Sequence, residues 1–230
     1  MKSSCSIFLN NIYFYDPTLF QDFSVLIKNH NIITNELIAA MTARQINIDE
    51  ENGQKLFGTW CENEKMSEFF NKNKTVSGWL HWWTAEEKPH KDWTVFPLVY
   101  EGILATENCK LVPETAKLLS QVPGIRVAGF SLLKPNAIIE THCGFTGRRY
   151  GALTFHLGLI IPPNSCTLTC GPKTHKWTKQ GESIVFDDTF PHSATNSSNE
   201  KRVVLYIDFK IPKDVESKLP EIVDYEKIKL

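Results

Sequence analysis

The second half of the chain alternates hydrophobic and polar residues with a period of two. From about residue 124 this pattern recurs in short runs rich in β-branched and aromatic residues: "IRVAGFSLL", "NAIIETH", "GALTFHLGLII", "CTLTC", "SIVFDD" and "RVVLYIDF". Gly, Pro, Asn or Ser separates one run from the next, as is typical of strands bounded by turns. Several short strands at this spacing predict a β-sandwich or jelly roll.

The first half of the chain has a mixed pattern. Up to about residue 120, "ENEKMSEFFNKN" and "VPETAKLLSQV" have the spacing of short amphipathic helices, and Pro113 suits the first turn of the second one. The 230 residues are enough for one domain with a sizeable core. We therefore expect a single, mainly β domain whose N-terminal region adds short helices.

Two of the predicted strands have one apolar face and one face that carries isolated polar groups. Successive side chains of a strand point to opposite sides of the sheet. The apolar faces comprise Leu153, Phe155, Leu157, Leu159 and Ile161 in the first strand, and Val203, Leu205, Ile207 and Phe209 in the second. Thr154, His156 and Gly158 lie on the opposite face of the first strand, and Arg202 leads the opposite face of the second. These polar groups are predicted to point into the mouth of a barrel.

Composition narrows the classes of partner. The net charge of −1 predicts no strongly basic face, so nucleic acid is not an expected partner. No apolar run approaches the length of a membrane span. The N-terminus is a poor signal peptide, so we expect a cytoplasmic protein. Cys166 and Cys170, with His175 nearby, lack the spacing of a zinc site and are interpreted as strand or turn cysteines.

A pair of histidines suggests an incomplete iron site. Non-haem Fe(II) oxygenases usually hold the metal with two His and one carboxylate, and the acid often stands two residues after the first His. Here His142 is followed by Cys143 and Gly144, and His192 lies in a later strand-like segment. The sequence therefore has either no iron site or one that lacks the acid.

Arg202 follows His192 by ten residues, about one strand length. A 2-oxoglutarate co-substrate chelates iron through its keto-acid end, and its distal carboxylate needs a cation. The planar guanidinium of arginine can bind a carboxylate in a bidentate manner. The spacing is therefore suited to a barrel that holds iron at its mouth and a dicarboxylate deeper inside.

Several motifs together resemble the aspartyl/asparaginyl β-hydroxylase family. They occur in the family's order from about Trp93 to Pro212: "DWTVFPL", "LVPETAKLL", "VPGIRVAGFSLLKP", "THCG", "FHLGLIIP", "ESIVFDDTFPH" and "KRVVLYIDFKIP". The resemblance implies an Fe(II)- and 2-oxoglutarate-dependent oxygenase with a double-stranded β-helix, a cupin-like jelly roll. It places the catalytic core at residues 93–212, a mixed α/β covering region at 1–90 and a tail at 213–230.

The resemblance also implies roles for individual residues. It makes His142 and His192 the iron ligands, with Gly144 where other oxygenases have the acid. The residues that it implies for 2-oxoglutarate are Trp93, Ser131, His156 and Arg202. With O2 as the third reactant, the expected activity is hydroxylation of a C–H bond in an amino acid, a peptide or another small molecule.

The chain departs from the family pattern at Thr154, where the family usually has an arginine that contacts the co-substrate and the acid of the substrate. Arg148 and Arg149, in the preceding loop, are candidates to replace it. This departure weakens the expectation of an Asp or Asn side chain as substrate.

Alternative interpretations stay open. Glu140, Asp187 and Asp188 are less favoured candidates for the missing acid; the two aspartates are interpreted instead as structural residues that orient a ligand. A halogenase that places chloride at the position vacated by the acid would also suit Gly144. A jelly-roll binding module without catalysis and a lipid hydroxylase are further alternatives.

Overall fold

The computed structural model describes residues 8–9, 12–43, 45–46, 78–83, 89–144, 146–220 and 223–224. The helix predicted at residues 62–73 lies outside the described residues. No helix in the described segments is long and apolar enough to span a bilayer.

Strands dominate the described segments. They are β1 (Phe8–Leu9), β2 (Phe14–Tyr15), β3 (Gln45–Ile46), β4 (Trp79–Trp83), β5 (Pro89–Tyr100), β6 (Ile103–Leu104), β7 (Ile125–Leu133), β8 (Ala137–His142), β9 (Ala152–Ile160), β10 (Cys166–Cys170), β11 (Lys173–Trp177), β12 (Ser183–Phe186), β13 (His192–Asn196), β14 (Arg202–Lys210) and β15 (Val223–Asp224).

The strands of the described residues form two principal sheets. The main sheet has the order β2-β12-β9-β14-β7-β5-β4-β3, with β6 paired to β5, and only its β3–β4 pair is parallel. The second sheet has the order β11-β10-β13-β8 and is antiparallel throughout. Strands β1 and β15 form a separate pair. The crossovers between non-consecutive neighbours are those of a jelly roll of the double-stranded β-helix type, so the predicted fold class is confirmed.

The two sheets pack face to face. An apolar cluster joins residues of the second sheet, including Leu168 and Trp177, to Phe186 and Val204 of the main sheet. Inward-facing positions alternate with outward ones along each strand, as in other β-sandwiches. The candidate site residues lie on these inner faces.

Short helices cover the outer face of the main sheet. They are α1 (Ser24–Lys28), α2 (His30–Ala40), α3 (Thr106–Leu111) and α4 (Pro113–Leu119), and α5 (Lys213–Glu216) follows the last long strand. The ring of Phe23 stacks on Phe155 of β9 with 4.1 Å between centroids. Leu26, Ile33 and Leu37 are fully buried in the same large core. The apolar side of the main sheet therefore supplies most of the hydrophobic core.

Helix α4 is held at its N-terminus by a side chain from α2. The carboxylate of Glu36 accepts hydrogen bonds from the backbone N–H groups of Glu114 and Thr115, at 2.8 and 2.6 Å, and from the hydroxyl of Thr115 at 2.6 Å. The first N–H groups of a helix have no partner within the helix, and a negative charge there also complements the helix dipole. Glu36 therefore caps α4 and joins it to α2.

The strand predictions agree with the structure to within about two residues at each end, and the predicted helix at 112–122 is α4. The predicted facing of Ile161 is wrong. The β9–β14 pairing has a bulge just before this residue, since Val203 pairs with Ile160 but Val204 pairs with Gly158. Ile161 consequently packs with Trp177 in the apolar cluster between the two sheets. It does not pack in the outer core, which lies between the main sheet and its covering helices.

Candidate active site

Two histidines from neighbouring strands meet at the inner face of the second sheet. His142 ends β8 and His192 begins β13, and the two residues are directly paired across the antiparallel ladder. Side chains at paired positions lie on the same face of the sheet. The centroids of the two imidazole rings are 4.1 Å apart, with 53° between the ring planes. The fold thus brings together the two predicted iron ligands.

The backbone fixes the tautomer of both rings. Nδ1 of His142 lies 2.8 Å from the carbonyl oxygen of Glu140, and Nδ1 of His192 lies 2.9 Å from that of Phe190. A carbonyl oxygen can only accept, so Nδ1 must carry the proton and Nε2 keeps its lone pair. This is the arrangement in which a neutral histidine binds a metal through Nε2.

Burial keeps both histidines neutral. It lowers the pKa of His142, and burial together with the nearby His142 lowers the pKa of His192 to about 3. Both imidazoles are therefore unprotonated at neutral pH and need not lose a proton before they bind a cation.

Gly144 lies against a buried carboxylate. A Cβ atom at this position would be 2.2 Å from Oδ2 of Asp188. The backbone of the glycine also donates a hydrogen bond to the carbonyl oxygen of Asp188 at 2.7 Å. Any side chain at position 144 would therefore displace Asp188.

No third ligand accompanies the histidines among the described residues. The described segments contain no group of three His, Cys, Asp or Glu side chains placed to hold one metal ion. Glu140 is exposed, and Asp188 binds the backbone N–H of Thr146 at 2.6 Å. Asp187 accepts the backbone N–H groups of Arg148 and Thr189 instead. The two aspartates thus have structural contacts of their own, and Glu140 is turned to the surface.

The cysteines have structural contacts as well. The thiol of Cys166 faces the side-chain oxygen of Asn196, and the thiol of Cys170 donates to the carbonyl oxygen of Asp187. Burial raises the pKa of the Cys170 thiol. Cys143 is disulfide-bonded. These contacts agree with the interpretation of Cys166 and Cys170 as strand cysteines.

The inner face of the main sheet is polar along the three central strands. Tyr206 of β14 is paired with His156 of β9, and Asp208 is paired with Thr154. Ser131 of β7 is paired with Val204 of β14. Because the side chains of Arg202, Val204, Tyr206 and Asp208 alternate with the apolar set of β14, they all face the second sheet.

Arg202 is buried without a carboxylate partner. Its exposed fraction is 1%, and burial lowers its pKa to about 10. Nε and Nη2, which lie on one edge of the guanidinium, have no hydrogen-bond partner. A buried charge without a partner is costly, and this edge is the one that binds a carboxylate in bidentate fashion. The residue thus has the properties of a site for an anion.

The other predicted co-substrate residues lie around the same interior. Nδ1 of His156 is buried and has no hydrogen-bond partner, while burial and the nearby Arg202 lower the pKa of this histidine well below its ordinary value. Nε1 of Trp93 donates to the hydroxyl of Ser131 at 3.0 Å. The Trp93 ring lies 6.0 Å from that of His142. Trp93 and Ser131 therefore join the His pair to the main sheet.

Thr154 belongs to a buried polar network that the sequence analysis did not predict. Asp208 accepts hydrogen bonds from the hydroxyls of Thr154, at 2.7 Å, and Tyr206, at 2.5 Å. Burial raises the pKa of Asp208 and of the neighbouring Asp188. The two-residue alternation that drew attention to Arg202 would also have indicated Tyr206 and Asp208.

The arginines proposed to replace the missing family arginine have other contacts. The guanidinium of Arg149 packs over the ring of Tyr150, 4.5 Å from its centroid, and hydrogen-bonds its hydroxyl. Arg148 is buried, and its charge and hydrogen bond act on Tyr15, which packs in the outer core. These contacts do not bring either arginine to Thr154.

The family model described as "Aspartyl/Asparaginyl beta-hydroxylase" matches residues 28–212, and so begins well before the motifs that start near Trp93.

Curated relatives match parts of the chain. An ornithine lipid ester-linked acyl 2-hydroxylase of Rhizobium tropici is 34% identical over 52% of this chain and 42% of its own length. Human aspartate beta-hydroxylase domain-containing protein 2 is 31% identical over 73% of this chain and 44% of its own length. Human aspartyl/asparaginyl beta-hydroxylase is 32% identical over 51% of this chain and 16% of its own length. The chain thus spans less than half the length of these relatives.

Matches to solved structures are weak. The cupin domain of Schizosaccharomyces pombe Cnp3 has a TM-score of 0.36 and 12% identity, covering 56% of this chain and 71% of that chain. The assignment of the fold rests on the strand order instead.

Proposed function

Because this chain belongs to the aspartyl/asparaginyl β-hydroxylase family, we propose that it is a hydroxylase that uses Fe(II) and 2-oxoglutarate. In this proposal His142 and His192 hold the metal, and Arg202 binds the distal carboxylate of 2-oxoglutarate. Trp93, Ser131 and His156 line the co-substrate site.

The observation that carries the proposal is the unpaired edge of Arg202. Nε and Nη2 are buried in the interior that also contains the histidine pair, and no hydrogen bond satisfies them. A dicarboxylate that reached Arg202 with one end would compensate this charge through two parallel hydrogen bonds. An arginine without such a ligand would raise the free energy of the folded state for no structural gain.

The histidine pair fits a divalent metal. Both Nδ1 atoms are held by backbone carbonyl oxygens, so both Nε2 lone pairs are free to coordinate. His142 and His192 would hold the metal from one side and leave room beside it for the co-substrate. Iron so bound would supply the oxidation of a C–H bond, coupled to the conversion of 2-oxoglutarate to succinate and CO2.

The remaining roles belong to the protein. Arg202 orients the co-substrate, while Trp93 and Ser131 fix one wall of the site through their mutual hydrogen bond. The aromatic rings of Phe186 and Tyr206 lie 5.1 and 5.5 Å from His156 and exclude water from that side. No side-chain general base is required for attack on a C–H bond.

The substrate is proposed to be an amino acid, a peptide or another small molecule. The names of the relatives add two specific candidates, an aspartyl or asparaginyl residue and the acyl chain of an ornithine lipid. Position 154, where the family usually has an arginine, holds a threonine whose hydroxyl donates to Asp208. An acidic substrate would therefore find no arginine at this position.

The test is succinate formation by anaerobically purified protein supplied with Fe(II), 2-oxoglutarate and O2. The panel contains amino acids, Asp- and Asn-containing peptides and ornithine lipids, each with and without chloride. Succinate that increases with one compound, together with a hydroxylated product, would support the proposal. A chlorinated product would favour a halogenase instead.

Matched arginine variants make the test specific. Arg202→Gln is expected to weaken 2-oxoglutarate binding by at least roughly a hundredfold, because a charge-assisted bidentate pair is lost. Arg149→Gln is the control, since Arg149 is exposed and packs on Tyr150. If the unmodified protein neither binds 2-oxoglutarate nor forms succinate, the binding-module interpretation replaces the enzyme.

A further inference from the structure

Four side chains account for every buried side-chain nitrogen or oxygen without a hydrogen bond in the described part of the chain. The five atoms are Nδ1 of His156, Nε2 of His175, Nε1 of Trp177, and Nε and Nη2 of Arg202. All five are nitrogens. In native proteins buried polar groups are nearly always paired, so such a concentration requires an explanation.

The four residues are contiguous in space. The guanidinium carbon of Arg202 lies 5.6 Å from the ring centroid of Trp177, and the Trp177 and His175 rings are 4.8 Å apart at 86°. The charge of Arg202 acts on both His156 and His175. The unpaired nitrogens therefore surround one region at the end of the barrel that contains Arg202.

The pairing within the second sheet places the side chains of His175 and Trp177, both in β11, on the inner face of this sheet. Trp177 is paired with Cys166, which is itself paired with Asn196, and His175 is paired with Leu168. These rows share the inner face with His192, because Cys170 on the same side of β10 is paired with that histidine. Trp177 is fully buried and packs in the apolar cluster between the two sheets.

We propose that Trp177 and His175 complete the anion site of Arg202 and donate hydrogen bonds to the distal carboxylate of the co-substrate. This inference rests on the proposed function and extends it to two residues of β11. The indole N–H can only donate, and an anion is the ligand that satisfies several converging donors.

His175 has one competing contact. Its Nε2 lies 3.4 Å from a carboxylate oxygen of Glu182 but is not aligned for a hydrogen bond. Glu182 is already bound to the backbone N–H and hydroxyl of Thr178. His175 therefore forms the outer, partly exposed wall of the site, and Trp177 its buried floor.

The experiment compares two ligands of equal chain length. Binding of 2-oxoglutarate and of 2-oxopentanoate, which lacks the distal carboxylate, is measured by calorimetry with Fe(II) and without O2. Trp177→Phe keeps an aromatic ring and removes the N–H. We expect it to weaken 2-oxoglutarate binding roughly tenfold to a hundredfold, as for a lost hydrogen bond to a charged group, and to leave 2-oxopentanoate unchanged.

Trp79→Phe is the matched control. Trp79 is also buried, but its Nε1 donates to the carbonyl oxygen of Ala40 in the outer core. His175→Phe is the second variant. It is also expected to weaken the binding of 2-oxoglutarate and to leave the binding of 2-oxopentanoate unchanged.

The outcomes separate this inference from the proposed function. If Arg202→Gln weakens 2-oxoglutarate binding and the Trp177 and His175 variants do not, the inference is wrong and the proposed function stands. Equal weakening of both ligands by Trp177→Phe would mean that Trp177 acts through packing, which also overturns the inference. A wild-type protein that binds neither ligand would refute the proposed function and, with it, this assignment.

Discussion

Substitution of Gly144 by alanine tests the packing of the loop that follows the first histidine. The new Cβ would lie 2.2 Å from Oδ2 and 2.5 Å from Cγ of Asp188, well inside van der Waals contact. Asp188 cannot simply rotate away, because it is 8% exposed and Oδ1 accepts the backbone N–H of Thr146 at 2.6 Å. The substitution must therefore break this hydrogen bond or displace the backbone.

The expected cost follows from these two effects. Overpacking in a core costs about 1–3 kcal/mol, and a buried backbone N–H left without its partner adds about 1–3 kcal/mol. We expect Gly144→Ala to lower the free energy of unfolding by roughly 3–5 kcal/mol, the middle of the range that the two effects span together. For a chain of this size the melting temperature would fall by roughly 6–20 °C.

The assay is a double-mutant cycle followed by calorimetry and urea unfolding. Gly144→Ala, Asp188→Ala and the double variant are compared with the unmodified protein. In the Asp188→Ala background the alanine at 144 should cost about 1 kcal/mol, because the clashing carboxylate is gone, which gives a coupling of about 2–4 kcal/mol. A single variant as stable as wild type, or the same cost in both backgrounds, would refute the packing argument.

Three further predictions concern the buried charges and a helix cap. Arg202→Met should raise the free energy of unfolding of the ligand-free protein by about 1–3 kcal/mol in urea titrations while abolishing 2-oxoglutarate binding, because it removes an unpaired buried charge; a loss of stability would contradict the reading of Arg202 as unpaired. Without metal, the unmodified protein should lose about 2 kcal/mol more stability between pH 7 and pH 5 than the His192→Gln variant does. The pKa of His192 is about 3 in the folded protein against 6.5 for an ordinary histidine, so the unfolded chain binds more protons in this range and stability falls as the pH is lowered from 7 to 5. The buried aspartates, whose raised pKa values act in the opposite direction, contribute equally to both pH profiles and cancel in the comparison. Identical profiles would refute the conclusion that His192 is buried in its neutral form. Glu36→Ala should cost about 1–2 kcal/mol in urea unfolding through loss of the cap of α4, and an unchanged midpoint would show that the cap contributes nothing.

Alternation along single strands was sufficient to predict the core of the main sheet. In β14 the residues Val203, Leu205, Ile207 and Phe209 are buried in the outer core, and Arg202 lies on the inner face. The period of two is a local property of an extended backbone, so it can be read without knowledge of strand neighbours. The same rule failed for Ile161 because a bulge in the pairing of β9 with β14 is not encoded by alternation.

Other parts of the site depend on strand pairing, which the sequence does not reveal. β11, "KTHKW", and β13, "HSATN", contain few β-branched or large apolar residues. β11 was not predicted as a strand, and β13 was predicted only as a strand-like segment around His192. Their conformation is fixed by hydrogen bonds to β10, which pairs with both. For this reason His175 and Trp177 could not be placed beside Arg202 before the structure was known.

The two faces of the main sheet divide stability from function. Its outer face is packed by apolar side chains against α1 and α2, whereas its inner face keeps Arg202 and His156 buried with unpaired nitrogens. Such groups persist only when the surrounding structure compensates for their cost, and the outer core is the part of this fold that can do so. Apolar substitutions should therefore have opposite signs on the two faces of one strand. Removing a methylene at Leu205 destabilises the sheet. Removing the charge of Arg202, three residues away on the opposite face, stabilises the sheet and eliminates ligand binding.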